Sequence, residues 1–176
     1  MRMDKLTSQF QTALSDAQSL ALGKGNQFIE PVHLLVAMLD QQGTSVRHLL
    51  QLAGVNVNQL RSNLADTLDR LPTVEGAAAA DVQVSNDLNR LFNVTDKLSQ
   101  QRQDSYISSE LFVLAALDDK GAVGNALQAS GANKKQLEKA IEDVRGGEAV
   151  NDQNAEENRQ ALEKYSIDLT ERGCRG

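Results

Sequence analysis

The side chains best suited to chemistry in this chain are two histidines, one cysteine, a lysine set between glycines, and 24 carboxylates. A histidine pair could ligate a metal or move protons if both imidazoles shared one helix face. His33 and His48 instead fall on separate predicted helices, with no H-x-x-x-H or C-x-x-C spacing nearby, so His33 reads as a structural helix residue. Gly23-Lys24-Gly25 offers the lysine of a phosphate cradle but no Ser or Thr after it to complete the pattern G-x-x-x-x-G-K-[S/T]. Cys174, in the terminal Gly173-Cys174-Arg175-Gly176, has no neighbouring base to generate a thiolate. The carboxylates are scattered over presumed solvent faces, where charge is usually only solvated. The sequence predicts no catalytic residues, no metal site and no cofactor site. A hydrolase working through scattered carboxylates would need a pairing that this sequence does not offer.

Charge and composition narrow the partners. With 18 Lys and Arg against 24 Asp and Glu the net charge is −6, which disfavours nucleic acid and anionic membrane surfaces. A single cysteine cannot form an internal disulfide, the N-terminus carries no signal-like apolar run, and no apolar stretch approaches 18 residues. The expectation is a soluble, cytoplasmic protein. Aromatics make up 3% of the chain and Trp is absent, so the core must be built from Leu, Val, Ile and Ala, a composition that favours closely packed helices.

The elements that would position any site come in duplicate. Phe28-Ile29-Glu30-Pro31-Val32-His33-Leu34-Leu35-Val36-Ala37-Met38-Leu39-Asp40 returns 78 positions later as Tyr106-Ile107-Ser108-Ser109-Glu110-Leu111-Phe112-Val113-Leu114-Ala115-Ala116-Leu117-Asp118. Upstream, Phe10, Ala13, Leu14, Ala17 and Leu20 align with Leu88, Leu91, Phe92, Thr95 and Leu98, one helical stripe in each copy. Downstream the offset becomes 77, so that Gly54 aligns with Gly131, both read as the residue just past a helix end. Asn56 and Asn133, each followed three residues later by Gln, then open another helix. This predicts an all-α fold of two pseudo-symmetric four-helix repeats packed into one globular domain over 1–145. Repeat one covers 1–72, with helices near 5–22, 31–41, 44–53 and 57–70. Repeat two covers 84–145, with helices near 86–102, 109–118, 122–130 and 134–145. Asp81-Val82-Gln83-Val84 is too short to read as a strand. From Gly146 the chain is glycine-led, acidic and almost without apolar residues, so 146–176 is expected to be a flexible linker, with a short helix around Ala161, Leu162 and Tyr165.

Positions at which the copies disagree in polarity are not demanded by the shared fold. Asp16 becomes Val94 and His33 becomes Leu111, while Asn26 becomes Asp104 and Val32 becomes Glu110. Val94 and Leu111, with Leu98 one turn from Val94, would form a small apolar groove rimmed by carboxylates, suited to extended polypeptide carrying apolar and basic side chains. The alternative is that these residues fill an asymmetric core between the repeats.

Taken together, Gln18-Ser19-Leu20-Ala21-Leu22-Gly23, Asn26-Gln27-Phe28-Ile29-Glu30-Pro31, the 107–117 segment, Arg145-Gly146-Gly147-Glu148 and Tyr165-Ser166-Ile167-Asp168-Leu169-Thr170-Glu171-Arg172 resemble the N-terminal Clp repeat domain of disaggregating chaperones in the Clp family of AAA+ proteins. The resemblance covers residues 1 to about 172. It implies a domain that captures unfolded or aggregated polypeptides in the stress response, tethered to ATPase modules that form a homohexamer and work with a co-chaperone system. ATP would bind those modules, which this sequence does not contain, so no ATPase activity is carried over. The resemblance places substrate-binding roles on Thr7, Asp104 and Glu110, and groove positions on Val94, Leu98 and Leu111. The family has Leu where this chain has Val94. Docking of a dedicated adaptor protein, or a stand-alone binding domain, are the alternatives.

Overall fold

A computed structural model of the chain describes residues 3–41, 45–74 and 82–159. A short 3₁₀ turn, Met3–Lys5, leads into α1 (Ser8–Gly23), β1 (Phe28–Ile29), α2 (Pro31–Asp40), α3 (Ser45–Leu52) and α4 (Val57–Asp69). The second half runs β2 (Gln83–Val84), α5 (Asn86–Gln101), α6 (Ser109–Asp118), α7 (Ala122–Ala129) and α8 (Lys134–Arg145). The fold is all-α in its layers, and the helix order repeats as the sequence predicts. Helix α1 begins at Ser8 rather than near residue 5, because Thr7 is extended and its hydroxyl oxygen accepts from Phe10 N–H. Ser85 caps α5 in the same way through Leu88 N–H, at the equivalent position of the second copy.

Residues 83–84, too short to read as a strand, do pair: Phe28 lies opposite Gln83 and Ile29 opposite Val84 in a parallel two-residue ladder. Its counterpart is the parallel bridge between Leu6 and Ile107. Shifted by 78, Leu6 is Val84 and Ile29 is Ile107, so the strand leading into each repeat's first helix pairs with the other repeat. Such pairing has no period-2 pattern of its own. The later helices cross over too, with α3 packing on α8 and α4 on α7.

The central helices α2 and α6 are buried along nearly their whole length, as their apolar sequences require. Pro31 starts α2, where a missing N–H costs nothing. Phe10, Phe92 and Phe112 meet with ring centroids 6.1–6.4 Å apart, tying α1, α5 and α6 into one core. Gly54 and Gly131 take the left-handed backbone expected past α3 and α7, and the side chains of Asn56 and Asn133 cap α4 and α8.

The packed body does not stop at Arg145. The linker-like composition notwithstanding, residues 148–159 form a strap laid back across the domain. Val150 is 2% exposed and Glu156 is fully buried, and 155–159 is helical. Composition misses this because the strap is held by hydrogen bonds and by two side chains, not by an apolar face. Residues 160–176, including the helix expected around Ala161 and the terminal Cys174, lie outside the described residues.

Candidate functional site

The loop between α5 and α6 and the chain leading into α1 form two sides of a slot, and the strap fills it. Ser105 and Tyr106 donate their N–H groups to the Val150 carbonyl at 2.7 and 3.3 Å, and Val150 N–H donates to Asp104 Oδ1 at 3.0 Å. On the other side Ser8 N–H donates to the Gln153 carbonyl at 2.9 Å. Gln103, in this loop, is left-handed at φ 58°. The first copy places Gly25, at φ 71°, in the equivalent position. A non-glycine residue held there stores local strain of a kind that gathers at functional loops.

Side chains complete the slot. Glu156 Oε2 accepts from the Thr7 hydroxyl and from both Ser109 N–H, at 3.2 Å, and Ser109 Oγ, at 3.1 Å. Beside it, Arg145 is clamped between two acids. Its fork meets Asp104 at 3.0 and 2.8 Å, its Nε meets Glu110 at 3.0 Å, and it also donates to Ser108 Oγ. Arg159 of the strap reaches both oxygens of Glu110, with Nη1 3.1 Å from Oε1 and Nη2 donating to the free Oε2 at 3.3 Å. Burial alone would raise the Glu110 carboxyl, but the charges of Arg159 and then Arg145 outweigh it and hold it below the ordinary carboxylate range. Glu156 goes the other way. Burial first, and the Glu110 charge second, push it up to about 7 against the hydrogen bonds from Thr7 and Ser109.

Thr7, Asp104 and Glu110 are thus brought into one buried network. The carboxylates do not form a solvent-facing acidic rim, because Arg145 and Arg159 neutralise them. Leu111 is corrected as well: it is 0% exposed, so the apolar surface open to solvent is Val94, 37% exposed, with Leu98 half-buried against the core. Val94 and Leu98 lie on α5, which leads into the Asp104 loop. Ser109, Arg145, Val150, Glu156 and Arg159 escaped the sequence reading. Two had a signal in the repeat, since Ser109 stands where the first copy has Pro31 and Arg145 where it has Leu68.

His33 is structural. Its Nδ1 accepts from Glu30 N–H at 2.8 Å, so Nε2 carries the proton to Asn26 Oδ1 at 2.9 Å. Burial, then the Lys24 charge, lowers it to about 4. Among the described residues no group of three or more His, Cys, Asp or Glu is placed to hold a metal ion, and no helix is long and apolar enough to cross a membrane. The site holds a chain by main-chain and carboxyl hydrogen bonds.

Residues 5–130 match the model of the Clp repeat (R) N-terminal domain. The chain belongs to that family. This Clp repeat domain is 58% identical over all 176 residues to Chaperone protein ClpB of Vibrio cholerae, of which it spans 20%. The chain therefore covers about one fifth of the length of the curated relatives it matches. Its fold is shared with the Hsp104 N-terminal domain from Candida albicans, with a TM-score of 0.76 over 86% of this chain and 99% of that one at 19% identity. A ClpV N-domain solved in complex with a VipB peptide is 26% identical, with a TM-score of 0.68, covering 84% of this chain and 91% of that one.

Proposed function

We propose that this Clp repeat domain is the polypeptide-binding N-terminal module of a disaggregating chaperone, capturing unfolded or aggregated chains. The observation that carries the reading is the slot between residues 6–8 and 104–109, which already holds residues 150–153 of the strap through main-chain N–H and C=O groups. Recognition by main-chain bonds is independent of sequence, as capture of varied clients requires. The exposed Val94 and half-buried Leu98 add a modest apolar contact on the helix leading into the slot. The identity to ClpB chaperones and the peptide bound to a ClpV N-domain support the same assignment. In the full-length protein, tethering to ATP-hydrolysing modules in a homohexamer assisted by co-chaperones would raise the effective concentration of a weakly held client near the ring. The setting proposed is the cytoplasm.

The ClpV–VipB complex also favours a second reading, docking of one dedicated protein partner. Titrating the labelled domain with reduced, carbamidomethylated lysozyme, which stays unfolded, and following amide resonances tests the first. Saturable shifts at 6–8, 94–98 and 104–111 are expected. Absence of saturation, together with retention of a single folded partner from extracts, would transfer the assignment to the second reading.

A further inference from the structure

Among the described residues Leu111 and Val150 are the two buried apolar side chains that stand apart from the continuous hydrophobic core. Something other than the core covers Leu111. Its neighbour Glu110 is bonded to Arg159 of the strap, and Val150 belongs to the strap. The strap is also imperfectly seated: Glu156 is fully buried, its Oε1 has no hydrogen-bond partner, and its neutral form is favoured there. The three hydrogen bonds to its Oε2 anchor the strap, while the burial of an unpaired Oε1 offsets part of that hold. Main-chain bonds at Val150 and Gln153 are the kind any extended chain can replace.

Resting on the binding reading above, we propose that residues 148–159 are the resident ligand of the polypeptide slot, so that a client binds by displacing this strap. With the strap in place, the N–H groups of Ser8, Ser105 and Tyr106 are occupied and Leu111 is covered. Displacement frees those donors and uncovers Leu111, which stands where the first repeat has His33. An incoming segment fits best with an apolar residue to follow Val150, a turn where the strap bends at 152–154, and a hydrogen-bond acceptor near the place of Glu156, between the Thr7 hydroxyl and Ser109 N–H. The apparent client affinity is then lowered by the fraction of molecules whose strap is docked.

The test uses the whole chain and fluorescently labelled, reduced, carbamidomethylated lysozyme as the probe, followed by anisotropy. Glu156→Ala removes the acceptor of three hydrogen bonds, and Val150→Asp places a charge beside Asp104. Each variant should bind the probe about tenfold tighter than the parent, because an unseated strap no longer competes. Amide exchange on the unmodified chain gives a second readout that needs no variant, with probe expected to speed exchange at Val150 N–H, whose acceptor is Asp104. Equal affinity of parent and variants, or unchanged exchange at Val150 while the probe binds, overturns the strap inference and leaves the binding reading standing. Failure of every form to bind the probe overturns both.

Discussion

Ser109 gives Glu156 two donors, its backbone N–H and its hydroxyl, at the position where the first repeat carries Pro31, which has neither. One substitution between copies therefore creates a carboxyl socket at the start of α6 that α2 cannot have. Around it the same pattern recurs, with Asn26 becoming Asp104, Val32 becoming Glu110 and Leu68 becoming Arg145. The shared scaffold is kept, and a charged cluster is fitted where its twin is neutral.

The socket makes strap docking depend on pH. Folded Glu156 titrates near 7 and its ordinary value is 4.5, so between these values the docked state holds the extra proton. Docking is complete below about 4.5 and weakens as pH rises, levelling above 7. Glu110, held below its ordinary value by Arg159 and Arg145, contributes its loss only at still lower pH, outside this window. Exchange at Val150 N–H, corrected for its intrinsic pH dependence, should accelerate roughly 10- to 100-fold between pH 4.5 and 7.5. Glu156→Gln should flatten that rise; an unchanged profile would mean that another group controls the strap.

Much of this was legible in the chain, for reasons that differ by residue. Periodicity located every helix of both repeats because each buries a stripe or a whole face, and the paired Asn–Gln caps and the glycines at 54 and 131 marked their ends. The mismatches Asp104 and Glu110 led to the right loop. What they could not show was Arg145 and Arg159 closing over them, since a charge mismatch in one copy does not name its counter-ion. The strap was illegible because one valine and one glutamate do not lift a segment above linker composition. Leu111 is read as exposed from the repeat mismatch alone, but it is fully buried.

His33 opposes Glu156 in the global stability of the fold. Buried and neutral, it is lowered to about 4 from 6.5, so the unfolded chain takes up its proton first. Its contribution is fully present above about 6.5 and falls by up to about 3 kcal/mol as pH drops toward 4. Over the same range Glu156 stabilises on acidification, so urea unfolding of the parent should vary little between pH 4.5 and 6.5. In Glu156→Gln the compensation is gone, and stability should decline steadily across that interval.

Gln103 carries a cost that its twin avoids. Left-handed backbone costs an L-residue about 1 kcal/mol, and Gly25 shows that the repeat accepts glycine there. Gln103→Gly should therefore raise the unfolding midpoint, the entropy of a freer unfolded chain offsetting part of the gain. A lower midpoint would show that the Gln103 side chain supplies more than the strain removes.

Val94 and Leu111 are separable by stability. Leu111→Ser places a hydroxyl at a fully buried position and removes an apolar side chain, costing about 3 kcal/mol. Val94→Ser, on the exposed face of α5, should change stability by under about 0.5 kcal/mol while weakening client capture. Equal losses in thermal melting would place both in the core and remove Val94 from the binding surface.

The Arg145 cluster tests whether charge there serves stability at all. Arg145→Leu alone strands the buried Asp104 carboxylate and leaves Glu110 to Arg159, and should cost about 3–5 kcal/mol, the usual penalty for an uncompensated buried charge. The first repeat suggests how to remove the penalty, because its equivalent residues are Asn26, Val32 and Leu68 in a well-packed setting. Combining Asp104→Asn, Glu110→Val and Arg145→Leu leaves no stranded charge, and Asn can still accept from Val150 N–H. Arg159, on the rim, can turn to solvent. The triple variant should unfold within about 1 kcal/mol of the parent, or later, since replacing a whole buried ion cluster by matched neutral residues is often neutral. If the three changes instead cost as much as Arg145→Leu alone, the cluster is a stabilising element in its own right. If stability returns while client binding is lost, the charges are retained for the slot and not for the fold.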